Sequence, residues 1–182
     1  MYMREIRINS TTGNEIVTTQ EAKDYIRVDN SADDNLISRM ITQARIWCEN
    51  FISSDIVAKN RTYYVKELNQ GQYYYDEYKA PRLQIPFGPV ASIESVTTDG
   101  NTATYEIKGL NNEIIELKDG SAKEIKVEYI TSGLNDSLVK QAILQTVSTY
   151  YDNRADFVTG TIVSDIPTGA KDILNSYKKM FV

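Results

Sequence analysis

The 182-residue sequence contains no histidine and a single cysteine. The first absence removes the commonest general base and the commonest metal ligand at neutral pH. The second excludes an intrachain disulfide and a thiolate zinc site. Cys48 falls on the apolar side of a candidate helix, where a small buried residue is expected. A lack of disulfides suits assembly in a reducing cytoplasm, although many exported proteins lack them too. No apolar run is long enough to span a bilayer, and no signal peptide is recognised, so no membrane contact is expected. Basic residues number 20 against 25 acidic ones, a net charge of −5. That balance argues against a nucleic-acid-binding surface, which needs clustered Lys and Arg. It is compatible with a wall that DNA slides past, since an acidic lining repels the phosphate backbone.

What is present is a soluble globular composition, 41% hydrophobic and 25% charged, with enough chain for one substantial core. The strongest helical pattern runs from Asn135 to Arg154. Asn135 or Asp136 can cap it. Val139, Ala142, Ile143, Thr146, Val147 and Tyr150 make one stripe at 3.6-residue spacing. Leu144 and Tyr151 widen the apolar arc, so cover from two directions is expected, by the chain's own domain and by a second element or a neighbouring copy.

Upstream, Ile6 and Ile8 suit a short strand, and residues 11–14 suit a turn before Glu15, Ile16 and Val17. Residues 1–17 therefore read as an N-terminal arm or hairpin. Thr18 and Glu21 fit a capping box for a helix to about Arg27 that buries Ala22, Tyr25 and Ile26. Ser31 is the expected cap of a long helix from about Ala32 to Ile52. Its expected buried stripe is Leu36, Ile37, Met40, Ile41, Ala44, Trp47, Cys48 and Phe51, with Ile46 on the polar side.

From Arg61 to Ile130 the period changes to two. The candidate strands are Thr62–Leu68, Arg82–Ile85, Ser92–Thr97, Thr104–Ile107, Glu113–Leu117 and Glu124–Ile130, separated by Asn/Asp/Gly turns. Together they suggest a small antiparallel sheet, folded over or rolled. Pro81, Pro86 and Pro89 confine the second strand to an edge or bend. The fold class is therefore α+β: a helical layer of about four helices, two of them long, with an inserted antiparallel β lobe. The expected organisation is an arm at 1–17 and one domain at 18–182, with helices in 18–52 and 135–182 and the lobe at 61–131.

Two stretches resist the pattern. Gly71–Tyr78 is rich in tyrosine, either a contact surface or cross-strand packing. Ala155–Ile166 is apolar without a clear period, and such loops tend to dock on something. Phe157, Val158, Ile162 and Val163 are its candidate partner contacts; folding back over the chain's own sheet is the alternative. Pro167 suits the start of a last helix whose buried side is Ala170, Ile173, Leu174 and Tyr177.

Catalytic and metal motifs are missing. Residues 29–33 open like an EF-hand loop, but Asp34 holds the glycine position and Met40 the place of the final Glu. Helix capping explains those residues. No glycine-rich phosphate loop occurs, and no carboxylate pair stands out. Neither an enzymatic activity nor a cofactor is expected.

The order of motifs resembles the head–tail connector, or adaptor, family of tailed bacteriophages. The carrying residues are VTTQEAKDYIRVD (17–29), DDNLISRMITQA (33–44), IPFGPVASIESV (85–96), VEYITSG (127–133), VKQAILQTVSTYYDNRAD (139–156) and IPTGAKDILNSYK (166–178). The resemblance spans about Val17 to Lys178. It implies a non-enzymatic virion protein at the head–tail junction, assembled in the host cytoplasm. It further implies a homo-oligomeric ring, usually a dodecamer, docked under the portal protein. Such a ring extends the DNA channel, lets genomic DNA pass without specific binding, and offers a platform to the next tail or stopper component. The same resemblance assigns portal engagement to the C-terminal segment, adding Tyr177 and Phe181 to the candidate contacts. The Tyr-rich tip and the first 16 residues depart from the family pattern. The rivals are a ligand- or carbohydrate-binding β-module using the 73–78 tip, and an enzyme built on acidic residues.

Overall fold

The computed structural model describes residues 3–66, 81–153 and 169–179. The chain forms two compact units. Of the described residues, one unit holds 3–14, 57–66 and 81–134, and the other holds 15–56, 135–153 and 169–179. The α+β class is as expected.

The second unit is helical. Its helices are α1 (Thr19–Ile26), α2 (Asp34–Ile52), α3 (Ser137–Asp152) and α4 (Gly169–Asn175). The capping box forms as the sequence indicates. Thr18 Oγ1 accepts from the Glu21 N–H, and the Glu21 carboxylate accepts from the Thr18 N–H at 2.9 Å. Lys140 of α3 also donates to Glu21. Together these bonds, that of Lys140 foremost, hold the Glu21 carboxyl at about 2. A depressed carboxyl stabilises the fold above its unfolded pKa and loses that contribution as pH falls through the folded value. Stability should therefore decline as pH drops from about 4.5 towards 2, and Glu21→Gln should remove part of that slope in urea melts. An unchanged slope would show that the contact is screened out in solution.

Ser31 is not the cap of α2. Asp33 takes that position and makes no side-chain cap bond. The turn before α2 is set by Asn30, whose Oδ1 accepts from the Ala32 N–H at 3.0 Å. The Asp33 carboxylate accepts from the Tyr151 hydroxyl at 2.6 Å instead. The buried stripe of α2 is also rotated. Ile37, Met40, Ile41, Ala44, Cys48 and Ile52 are buried, and so are Arg45 and Glu49. Leu36, Trp47 and Phe51 are half-buried, contrary to expectation. Trp47 and Phe51 stack with centroids 5.5 Å apart. The rotation follows from an ion pair: charges enter the interior when each neutralises the other and their hydrogen bonds are satisfied. On α1, Tyr25 is exposed, not buried, and its hydroxyl accepts from Gln141 Nε2. Lys23 is buried in its place and pairs with Asp34 at 2.8 Å.

Helix α3 follows its sequence pattern. Asp136 caps it, accepting from the Leu138 N–H at 2.8 Å. Val139, Ala142, Ile143, Thr146 and Val147 are buried and Tyr150 half-buried. Helices α1, α2 and α4 all contact α3 and cover its buried stripe, while Leu144 and Tyr151, which widen the apolar arc, are half-buried.

The first unit is a pair of antiparallel sheets. The larger has the order β1 (Met3–Thr11), β2 (Lys59–Lys66), β8 (Glu124–Thr131), β4 (Val90–Thr98) and β5 (Asn101–Thr102). The smaller has β3 (Arg82–Gln84), β7 (Ile114–Leu117) and β6 (Tyr105–Lys108). The strand periodicity locates these elements well, apart from β5, which the sequence presents as part of a turn. The prolines act as expected, since β3 lies at a sheet edge. β1 pairs with β2, about fifty residues away in sequence, and not with residues 15–17. Just after β1, a Cβ on Gly13 would lie 2.8 Å from the Ala58 nitrogen, so only glycine permits this approach.

The alternating inward residues of both sheets form one core. Tyr63 and Val65 of β2 meet Ile125, Val127 and Tyr129 of β8, with Leu83, Ile85, Ile115 and Leu117 from the smaller sheet. Tyr129 is fully buried, and its hydroxyl donates to the Pro86 carbonyl at 2.8 Å. Nearby, the Arg61 guanidinium lies 4.1 Å above the Phe87 ring.

Candidate partner-binding surfaces

Of the candidate contact residues, Phe157, Val158, Ile162, Val163 and Phe181 lie outside the described residues, as does the 71–78 tip. Tyr177 is described. It follows α4, is half-buried, and donates its hydroxyl to Asp136 Oδ1 at 2.7 Å. The same carboxylate caps α3. The Tyr177 hydroxyl foremost, then the Leu138 N–H, holds the Asp136 carboxyl below its ordinary range. The hydrogen bond to Asp136 in turn pushes the Tyr177 phenol up. Lys178 places its ammonium 5.2 Å from the Phe51 ring centroid, and the Lys179 N–H donates to the Ile52 carbonyl at 3.0 Å. The residues after α4 are thus fastened to the end of α2 and the start of α3.

The Cys48 thiol is fully buried, and burial pushes it up to about 12, far from a reactive thiolate. Glu116 is held down to about 2, first by Lys118 and then by Arg82, which donates at 2.8 Å across the β3–β7 pair. Lys118 and Lys108 both reach Glu106, completing a charge ladder over the smaller sheet. Such ladders fix register between short strands. Among the described residues the perturbed groups are carboxyls moved down and a thiol, phenols and an ammonium moved up, away from neutrality. No general acid or base is tuned to neutral pH among these shifted groups. Among the described residues no three Cys, Asp or Glu converge as a metal site. A shallow open groove of about 440 Å³ runs beside β1, lined by Glu5, Ile6, Arg7, Thr62, Tyr64 and Lys126.

The apolar surface of the described residues is scattered. Leu110 stands fully exposed at the β6–β7 turn, and Ile46, as expected, faces solvent on α2. The notable stretch is β1, every residue of which is exposed, including Ile6 and Ile8. The sequence indicates a strand there but not that it forms an edge. The available signal is the Ile6/Ile8 alternation with no polar-to-core contrast around it.

No protein-family model and no curated protein matches the chain. Solved structures do. A chain in the neck of an empty GTA particle, computed with C6 symmetry, superposes with a TM-score of 0.72 at 13% identity, covering 98% of this chain and 97% of that one. A chain in the virion of a native gene transfer agent (GTA) particle gives 0.68 at 12% identity, over 97% and 96%. A chain in the neck of a native GTA particle, computed with C12 symmetry, gives 0.69 at 12% identity, over 98% and 97%. The fold is therefore that of chains found in these particles.

Proposed function

We propose that the chain is a structural protein of a phage-like virion, a head–tail connector or adaptor without enzymatic activity. Its copies form a ring, a dodecamer by this proposal, that docks under the portal, extends the DNA channel and presents a platform for the next tail or stopper component. The observation that carries the proposal is the near-complete coverage of both chains in the likeness to neck subunits. The motif order from Val17 to Lys178 points the same way, and C6 and C12 symmetry in those particles suits a ring. The net charge of −5 fits a channel through which DNA passes unbound. The residues after α3, with Phe157, Val158, Ile162 and Val163, are the proposed portal contact, joined by Tyr177 and Phe181.

The test is to mix the chain with its portal and look for a ring beneath the portal by electron microscopy. A Phe157→Ala/Ile162→Ser variant should melt near wild type yet fail to mount. Interface anchors of this kind cost more than about 2 kcal/mol each, roughly thirtyfold or more in affinity. A large fall in melting temperature would place these side chains in the domain core and remove them from the contact.

A further inference from the structure

We propose that the edge of β1 is a self-pairing surface, through which two copies of this chain join in solution as a two-fold dimer with one continuous antiparallel sheet. Among the described residues β1 has a single strand neighbour, β2, and no strand lies along its outer edge. Such an edge is a template for pairing with another chain. Edge strands of this length are commonly blunted by prolines, inward charges or bulges. β1 has no proline, its one register shift falls between Ile8 and Ser10, leaving Met3–Ile8 regular, and Arg4 is the one charge of that stretch on the face of Tyr63 and Val65.

The sequence of that regular stretch selects a register. Residues directly opposite one another in an antiparallel pair share a face. A two-fold axis perpendicular to the sheet therefore sets one residue against its own copy and pairs its neighbours symmetrically. Centring on Arg4, Glu5 or Arg7 would oppose like charges. Centring on Ile8 would draw the bulge into the ladder, and centring on Met3 would leave most of the strand unpaired. Centring on Ile6 does something different. Ile6 meets Ile6 of the second copy, Arg4 meets Ile8, and Glu5 meets Arg7 twice, once on each side of the axis. The charged pairs lie on the face that carries Tyr64 and Lys126, and the isoleucines on the face that carries Tyr63 and Val65. All of these β1 residues are exposed. Rotation-related neighbours in a ring cannot share a two-fold contact, so this dimer is a state of the unassembled chain. It covers an edge that would otherwise recruit other strands.

The test uses the full chain without portal. Ile6→Cys should form a disulfide-linked dimer on mild oxidation, because directly opposed Cα atoms about 4.5–5.5 Å apart suit a disulfide. Wild type should not, since Cys48 is buried. Glu5→Cys mixed with Arg7→Cys should give the heterodimer in preference to either homodimer. In sedimentation, Glu5→Arg should weaken dimerisation roughly tenfold, and Glu5→Arg/Arg7→Glu should restore it. A wild-type chain that stays monomeric at every concentration would overturn the proposal. Cross-linking at all three positions alike, or no rescue by the double reversal, would overturn the register.

Discussion

Glu49→Ala is expected to cost about 3–5 kcal/mol of stability, the penalty for breaking a buried ion pair from one side. Glu49 is 2% exposed on α2. One carboxylate oxygen accepts from Arg45 Nη1 at 2.8 Å, and the other accepts from the Ile56 N–H at 3.0 Å. Arg45 is itself buried, and its Nε donates to Glu15 at 2.8 Å. Removing Glu49 leaves a buried backbone donor unsatisfied and a buried guanidinium with less counter-charge. A fall of roughly 10 °C in melting temperature should follow for a chain of this size. Glu49→Gln should cost less, because its amide oxygen can still accept from Ile56. A Glu49→Ala loss below about 1 kcal/mol in urea titration would mean that water replaces the missing carboxylate.

The β unit has its counterpart in Tyr129. This residue sits on β8, flanked by β2 and β4, and is fully buried. Tyr129→Ala removes a large aromatic from a close-packed core, for an expected cost of about 3–5 kcal/mol. Tyr129→Phe keeps the ring but removes the donor to the Pro86 carbonyl, so about 1–2 kcal/mol is expected. Denaturant titrations of the two variants separate packing from hydrogen bonding. Equal losses would show that the hydroxyl, not the ring, holds the 85–90 turn in place.

Most of the fold is legible in the sequence because its signals are local. The capping box at Thr18, the stripe on α3 and the turns between strands depend on residues a few positions apart. The misreadings share a different cause. The α2 stripe is rotated because Arg45 and Glu49 neutralise each other inside, and a pattern that sends charges to solvent cannot foresee that. Spacing alone puts Tyr25 inside, whereas Lys23 takes the interior by pairing with Asp34. The partner of β1 lies across the chain, and nothing in MREIRINST names it. Of the candidate contact residues only Tyr177 can be compared with sequence expectation, and its tie to Asp136 rests on a contact 41 residues away. The remaining candidates rest on apolar character without period and on family likeness. These are weaker signals because an interface is written partly in the partner.

A ring that forms under a portal is most directly tested by particle mass. Mass photometry of the chain alone should show small particles, monomers and dimers. Addition of portal should convert them into one species whose extra mass equals a whole ring of 20.7 kDa subunits, twelve of them for the proposed dodecamer. A mass distribution left unchanged by portal would contradict the adaptor role.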